Sequence, residues 1–198
     1  GKAVNRSCLF DPDGQQVASY DKIHLFDVDL GGGEVYRESN SFEPGRQACL
    51  ADMDGVGLGL TICYDLRFAA LYRALAQAGA DIITVPAAFT VPTGKAHWLT
   101  LLRARAIETG SYVLAAAQGG LHEDGRQTYG HSCVIGPWGE VVAGLAHDQP
   151  GVLMAELDLD QVRDARRRMP AWTTDPDWVG PQKVGRTAIT RKTPAGRA

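Results

Sequence analysis

No apolar run in this 198-residue sequence is long enough to cross a membrane. The start, Gly1-Lys2-Ala3-Val4-Asn5, has no apolar h-region and is not a signal peptide. Positive charge is not in excess over most of the length. The net charge is −3, which argues against nucleic acid as a partner. Cysteine is sparse: Cys8, Cys49, Cys63 and Cys133 are widely spaced, each in an apolar, strand-like run. No CxxC or Cys/His cluster suggests zinc, and a disulfide framework is not expected in a domain this size. The expectation is a reduced, cytoplasmic setting. No internal repeat and no second domain are visible.

What is there is an apolar fraction of 44%, enough for one sizeable core. The organising stretch is Gly57 to Phe68. An apolar, β-prone run ends at Cys63, and a helical pattern begins almost at once. Such a turn favours a thiolate through its backbone amides and the positive end of the helix. The alternative is that Cys63 is simply a small buried hydrophobe.

Before that stretch, Val4 to Phe10 reads as a strand, Asp11-Pro12-Asp13-Gly14 as a turn, and Gln15 to Tyr20 as the returning strand. A chain that starts inside a sheet suggests an N-terminal truncation. Gly31-Gly32-Gly33 reads as loop. Gln47 to Met53 and Val56 to Ile62 pair around Asp54-Gly55, a strong hairpin signal.

After Cys63, the positions Phe68, Leu71, Tyr72, Leu75 and Ala78 have helical spacing, with Gly79 as C-cap. Residues 81–86 form a short strand. Strand, helix and strand in succession indicate an α/β layer architecture. Pro92 to Ala96 reads as loop and His97 to Thr109 as a second helix ended by Gly110. Strands are expected over 111–117, 131–135, 141–145 and 151–157, with a polar loop at 119–130. Asp158 caps a charged helix through Arg168. The domain is expected to span 1–179, followed by a basic, mobile tail over 180–198.

A thiolate nucleophile needs a base, an oxyanion stabiliser and substrate positioning. Lys22 lies among Tyr20, Ile23, Leu25 and Phe26. Its ammonium either finds a partner or snorkels to the surface, the ordinary outcome. Glu38 follows a glycine-rich loop and is exposed by default. Arg67 lies one turn after Cys63, where it either grips a carboxylate or is a plain surface arginine. His24, His97 and His131 are isolated, and each reads as a structural histidine. Asp65 reads as a cap of the following helix rather than an orienter of the turn. Phe89, Thr90 and Thr93 follow a strand's C-terminal end, where ligands collect in α/β sheets.

Taken in order, several motifs together resemble the nitrilase superfamily of carbon–nitrogen hydrolases. They are Tyr20-Asp21-Lys22-Ile23-His24-Leu25-Phe26, Arg37-Glu38-Ser39-Asn40 and Leu60-Thr61-Ile62-Cys63-Tyr64-Asp65-Leu66-Arg67-Phe68, followed by Pro86-Ala87-Ala88-Phe89, Arg103 to Glu108, Tyr129-Gly130-His131-Ser132 and Pro137-Trp138-Gly139. The resemblance covers about residues 1 to 172. It looks closest to the branch holding deaminated glutathione amidase and omega-amidase. It implies an α-β-β-α sandwich, N-terminally truncated, that pairs with a second subunit as a homodimer or larger homo-oligomer.

The resemblance also implies roles. Cys63 is the nucleophile on the carbonyl of a small-molecule amide. Lys22 and the backbone N–H of Tyr64 stabilise the oxyanion. Glu38 positions water or substrate. Ammonia leaves and water hydrolyses the thioester. Arg67, Phe89 and Thr93 shape the substrate pocket, with Arg67 on an α-keto carboxylate. No metal or cofactor is implied. The family's general-base glutamate belongs ahead of the first residue here. That leaves a catalytically inactive binding or oligomerisation module as one alternative and an N-carbamoyl amino acid amidohydrolase as another.

Overall fold

A computed structural model describes residues 1–175, 177 and 179–181. Of the tail expected over 180–198, all but the first two residues lie outside the described residues.

The chain opens on a hairpin, β1 (Arg6–Phe10) and β2 (Gln16–Asp21). Its turn closes with Gly14 N–H donating to Asp11 O at 3.0 Å, and Gly14 takes φ +79°. A second small pair follows, β3 (Asp27–Asp29) and β4 (Val35–Arg37). The three glycines form its connection, so the loop expected there is flanked by strands. β5 (Cys49–Met53) and β6 (Val56–Leu60) pair in the expected register around Asp54 and Gly55. Both turn residues have positive φ, +54° and +87°, the conformation a two-residue hairpin needs.

Beyond β6 come α1 (Ala69–Ala78), β7 (Ile82–Thr84), α2 (Val91–Thr109) and β8 (Tyr112–Ala115). Gly79 ends α1 in the left-handed region, its N–H donating to Ala76 O and that of Ala80 to Leu75 O. The helix α2 begins at Val91, six residues before the expected start. Pro92 sits in the first turn, where a missing N–H costs nothing and a fixed φ helps, so the stretch read as loop is helical. The polar loop expected at 119–130 folds back as β9 (Gly119–Leu121) and β10 (Gln127–Tyr129). β11 (Cys133–Ile135), β12 (Val141–Gly144) and α3 (Leu159–Arg168) complete the elements. Asp158 caps α3, its carboxylate accepting from Asp160 N–H at 3.0 Å.

The central sheet runs β12-β11-β8-β7-β6-β5. β6, β7 and β8 are parallel and joined by the crossovers α1 and α2; the other neighbours are antiparallel. Alternation along each strand sorts side chains to two faces. Ile83, Val113, Ala115 and Ile135 meet Leu71, Tyr72 and Leu75 of α1 and Trp98, Leu102 and Ala106 of α2. Each fully buried leucine here contributes about 2 kcal/mol. On the opposite face Leu60 and Ile62 pack on Tyr20 of the first hairpin, and Tyr112 and Val134 pack on Val162 of α3. The α/β layering is as expected. The strand expected at 151–157 is not formed. Leu153 and Leu157 pack against the Tyr112 cluster, but no ladder pairs this stretch with the sheet.

Candidate active site

The carboxyl ends of the three parallel strands share one edge. Ile62 and Cys63 follow β6, Pro86 to Phe89 follow β7, and Ala116 to Gln118 follow β8. All of them border an open cavity of about 1020 Å³. Ligands collect at this edge because parallel strands diverge there and loops supply the walls.

Cys63 begins a single 3-10 turn, Cys63–Arg67, that joins β6 to α1. Its backbone has φ +49°, rare for a residue with a Cβ. The Cys63 N–H donates to Pro86 O at 2.9 Å, tying the turn to the end of β7. On the preceding residue, Ile62 N–H donates to the Asp65 carboxylate at 2.9 Å. Tyr64 N–H lies in the first turn, where amides have no intrahelical acceptor.

Lys22 is 3% exposed, so its ammonium does not reach solvent. It pairs with Glu38, which begins a short 3-10 turn after β4. Glu38 also accepts from Phe26 N–H at 2.6 Å and from Asn5 Nδ2 at 3.2 Å. Burial pushes the Glu38 carboxyl up. The hydrogen bonds from Lys22, Phe26 and Asn5 and the Lys22 charge outweigh that, and it sits below its ordinary value.

The Cys63 thiol is governed mainly by burial, which pushes it up. The Ala88 backbone and the Lys22 charge pull it down, Glu38 and Asp65 push it further up, and the balance is a raised value. That balance favours the uncharged thiol over the thiolate. Lys22, Glu38, Cys63 and Tyr64 all line the cavity. Among the described residues Glu38 is the one carboxylate lining it, and no histidine does.

The family pattern described as carbon-nitrogen hydrolase matches residues 1–167. The chain belongs to the carbon–nitrogen hydrolase family. A Synechocystis sp. relative, named deaminated glutathione amidase, is 47% identical over 173 residues; these cover 86% of this chain and 63% of the relative. The NitFhit protein of C. elegans superposes with a TM-score of 0.81 at 42% identity, over 88% of this chain and 42% of that one. An amidase from Nesterenkonia sp., solved after Michael addition of acrylamide at its active-site cysteine, superposes with a TM-score of 0.67 at 32% identity. That match covers 83% of this chain and 61% of the amidase. The chain thus spans less than two thirds of the length of each.

In this member of the carbon–nitrogen hydrolase family, Lys22 is paired rather than snorkelling, and Glu38 is the partner. Arg67 lines the cavity. Its guanidinium lies 5.5 Å from the Phe89 ring centroid and 5.8 Å from that of Tyr64, and approaches His97 Nδ1 at 3.3 Å. Among the described residues it forms no ion pair. Phe89 lines the cavity with its ring against Trp98. Thr93 also lines it, but its hydroxyl is spent on Thr90 Oγ1 at 2.8 Å within the first turn of α2.

Of the three histidines expected to be structural, two are held: His131 Nδ1 donates to Tyr129 O at 2.6 Å, and His24 Nδ1 meets the Asp65 carboxylate at 2.7 Å. His97 is exposed, and among the described residues its ring meets only the Arg67 guanidinium. Asp65 does more than cap. It is fully buried and also accepts from Tyr20 Oη. Asn5, which holds Glu38, and Gln118, which lines the cavity, had no sequence signal beyond polarity; Ser132, which also lines it, belongs to the Tyr129–Ser132 motif.

Among the described residues no helix is long and apolar enough to cross a membrane, and no three His, Cys, Asp or Glu side chains group to hold a metal ion.

Proposed function

We propose that this cavity is an amidohydrolase centre in which Cys63 attacks a small, carboxylate-bearing linear amide. The observation that carries the reading is the buried Lys22–Glu38 pair lining the same cavity as the Cys63 turn. A buried ammonium is costly to keep unless it serves a charge, and the charge that develops here is an oxyanion.

In the first step the sulfur bonds the amide carbon, and the carbonyl oxygen takes up the electron pair. Lys22 and Tyr64 N–H face that oxyanion. Its collapse breaks the C–N bond, and the proton that left the thiol departs on the amine or ammonia. Water then adds to the thioester, the C–S bond breaks, and the acid and the thiol are restored. Glu38 holds Lys22 and orients substrate or water. Arg67, without a carboxylate partner among the described residues, grips the substrate's carboxylate, with Phe89 and Thr93 shaping the wall.

Glu38 is a poor acceptor for the thiol proton because its oxygens are committed and its pKa is lowered. The resemblance gives that duty to a further glutamate ahead of residue 1, so turnover is proposed for the whole protein. The names of the relatives favour deaminated glutathione as substrate, with α-ketoglutaramate next. The test follows release of amine from the first and ammonia from the second, for the whole protein and for the Cys63→Ala variant. Turnover that survives Cys63→Ala, or none by the whole protein alongside an unreactive Cys63, sinks the reading. Turnover of N-carbamoyl amino acids alone moves it to that class.

A further inference from the structure

Lys22 and Cys63 sit on separate elements, and their working relation depends on what ties one to the other. The residues on either side of Lys22 reach the same carboxylate. Tyr20 Oη donates to Asp65 Oδ2 at 2.8 Å. The His24 backbone N–H and ring Nδ1 meet Asp65 Oδ1 at 3.1 and 2.7 Å. Oδ2 also accepts from Ile62 N–H, the residue before the nucleophile, at 2.9 Å. Four donors thus converge on a side chain with no exposed surface.

A cap for the 3-10 turn needs only the Ile62 N–H. The three donors from Tyr20 and His24 exceed that need, and all three come from the segment that carries Lys22. The segment is further fixed by Ile23 N–H donating to Tyr20 Oη at 3.2 Å, and by the His24 ring stacked on Phe68 at 3.6 Å. The positive φ of Cys63 adds a reason for the tie. Such a conformation persists only where its surroundings over-determine it. Here Ile62 is held by Asp65, and Cys63 itself by Pro86 O.

We infer that Asp65 is a positioning residue whose carboxylate locks the Lys22 segment to the Cys63 turn and so sets the ammonium beside the thiol. What the pair then does rests on the amidohydrolase reading; the tie itself rests on the hydrogen bonds.

The substitution Asp65→Asn has two effects of opposite sign. Loss of a negative charge near the sulfur makes the thiol easier to ionise. Loss of the tie, because an amide NH2 now faces donors, lets the ammonium drift and makes the thiol harder to ionise.

The experiment is alkylation of Cys63 by iodoacetamide across a pH series, read by mass spectrometry on the Cys63 peptide. It compares the unaltered protein with Lys22→Ala, Asp65→Asn and the double variant, each checked for folding by circular dichroism. The half-maximal pH is expected to rise by about one pH unit in Lys22→Ala and in Asp65→Asn, and no further in the double variant. A fall in Asp65→Asn, or two rises that add, overturns the inference. Should Asp65→Asn not fold, Tyr20→Phe removes one donor and keeps the shape. A smaller rise is expected there, and an unmoved midpoint overturns the inference. In turnover, Asp65→Asn is expected to lower kcat on the order of 100-fold with KM changed less than about threefold. Absence of turnover in the whole protein would sink the amidohydrolase reading, and the alkylation series would still decide the tie.

Discussion

Replacing Lys22 with methionine keeps the stem and removes the ammonium, so it isolates what the charge does. Lys22 is 3% exposed and the Glu38 side chain 14%. Removing one partner of a buried pair leaves an uncompensated charge, at about 3–5 kcal/mol. Glu38 keeps the Phe26 N–H and Asn5 donors, which places the loss at the lower end, about 3 kcal/mol near neutral pH. For a chain of this size that is a fall in Tm of roughly 6–12 °C.

The pH dependence has a definite sign. With Lys22 present, the folded Glu38 pKa lies below its ordinary value of 4.5. Its stabilising contribution is therefore full above that value and lost as pH falls through the folded pKa. Without Lys22, its hydrogen bond and its charge are both lost while burial remains, so the folded pKa rises relative to that of the unaltered protein. The variant therefore loses less stability on acidification. The gap between the two proteins must narrow on acidification. Urea unfolding over about pH 7 to about pH 4 measures it. A gap that stays constant with pH, or one below about 1 kcal/mol near neutrality, refutes the claim that Glu38 carries a buried charge neutralised by Lys22.

Other substitutions probe separate parts of the molecule. Cys63→Ala should abolish turnover and leave the thermal midpoint within a few degrees, since Cβ remains and only the sulfur is lost; an active variant would contradict the nucleophile. Gly94→Ala places a methyl group 2.2 Å from Tyr129 Cγ, and overpacking of about 1–3 kcal/mol should appear in thermal unfolding. Arg166→Met removes donors to Thr109 O, Ala80 O and Ser111 Oγ at 3.1, 2.6 and 3.0 Å, the clamp that holds α3 against the ends of α1 and α2. A loss of about 2–3 kcal/mol in urea is expected. Cys133 is buried, with its thiol pushed up to about 11, and should be the slowest cysteine to alkylate near neutral pH.

Much of this could be read from residues alone, where a local rule has a single solution. Asp54-Gly55 and Asp11-Pro12-Asp13-Gly14 fix two hairpins because few residues accept the turn dihedrals. Gly79 and Gly110 end their helices in the left-handed region for the same reason. The misread stretches are those where a local signal has two solutions. Pro92 breaks a helix interior but favours a first turn, and only the packing of Trp98 and Leu102 decides between them. Residues 151–157 carry a strand's alternation, yet a strand also needs a neighbour to bond with. Lys22 shows the limit most clearly. Its burial depends on Glu38 and Asn5, 16 and 17 residues away in opposite directions, and no spacing rule links them. Asp65 looked like a cap because the Ile62 contact is local, while the Tyr20 and His24 contacts reach back more than 40 positions.

The positive φ at Cys63 also shapes what this position can become. Glycine adopts that conformation freely, whereas valine, isoleucine and threonine resist it. A cysteine codon is one base change from glycine and from serine, and from no β-branched residue. Of the single-base changes open to that codon, the one to glycine removes the sulfur and at the same time relaxes the backbone. Members that have lost the chemistry should keep the fold and melt no lower than those that retain it. A cysteine at this position therefore carries a backbone cost that glycine would relieve.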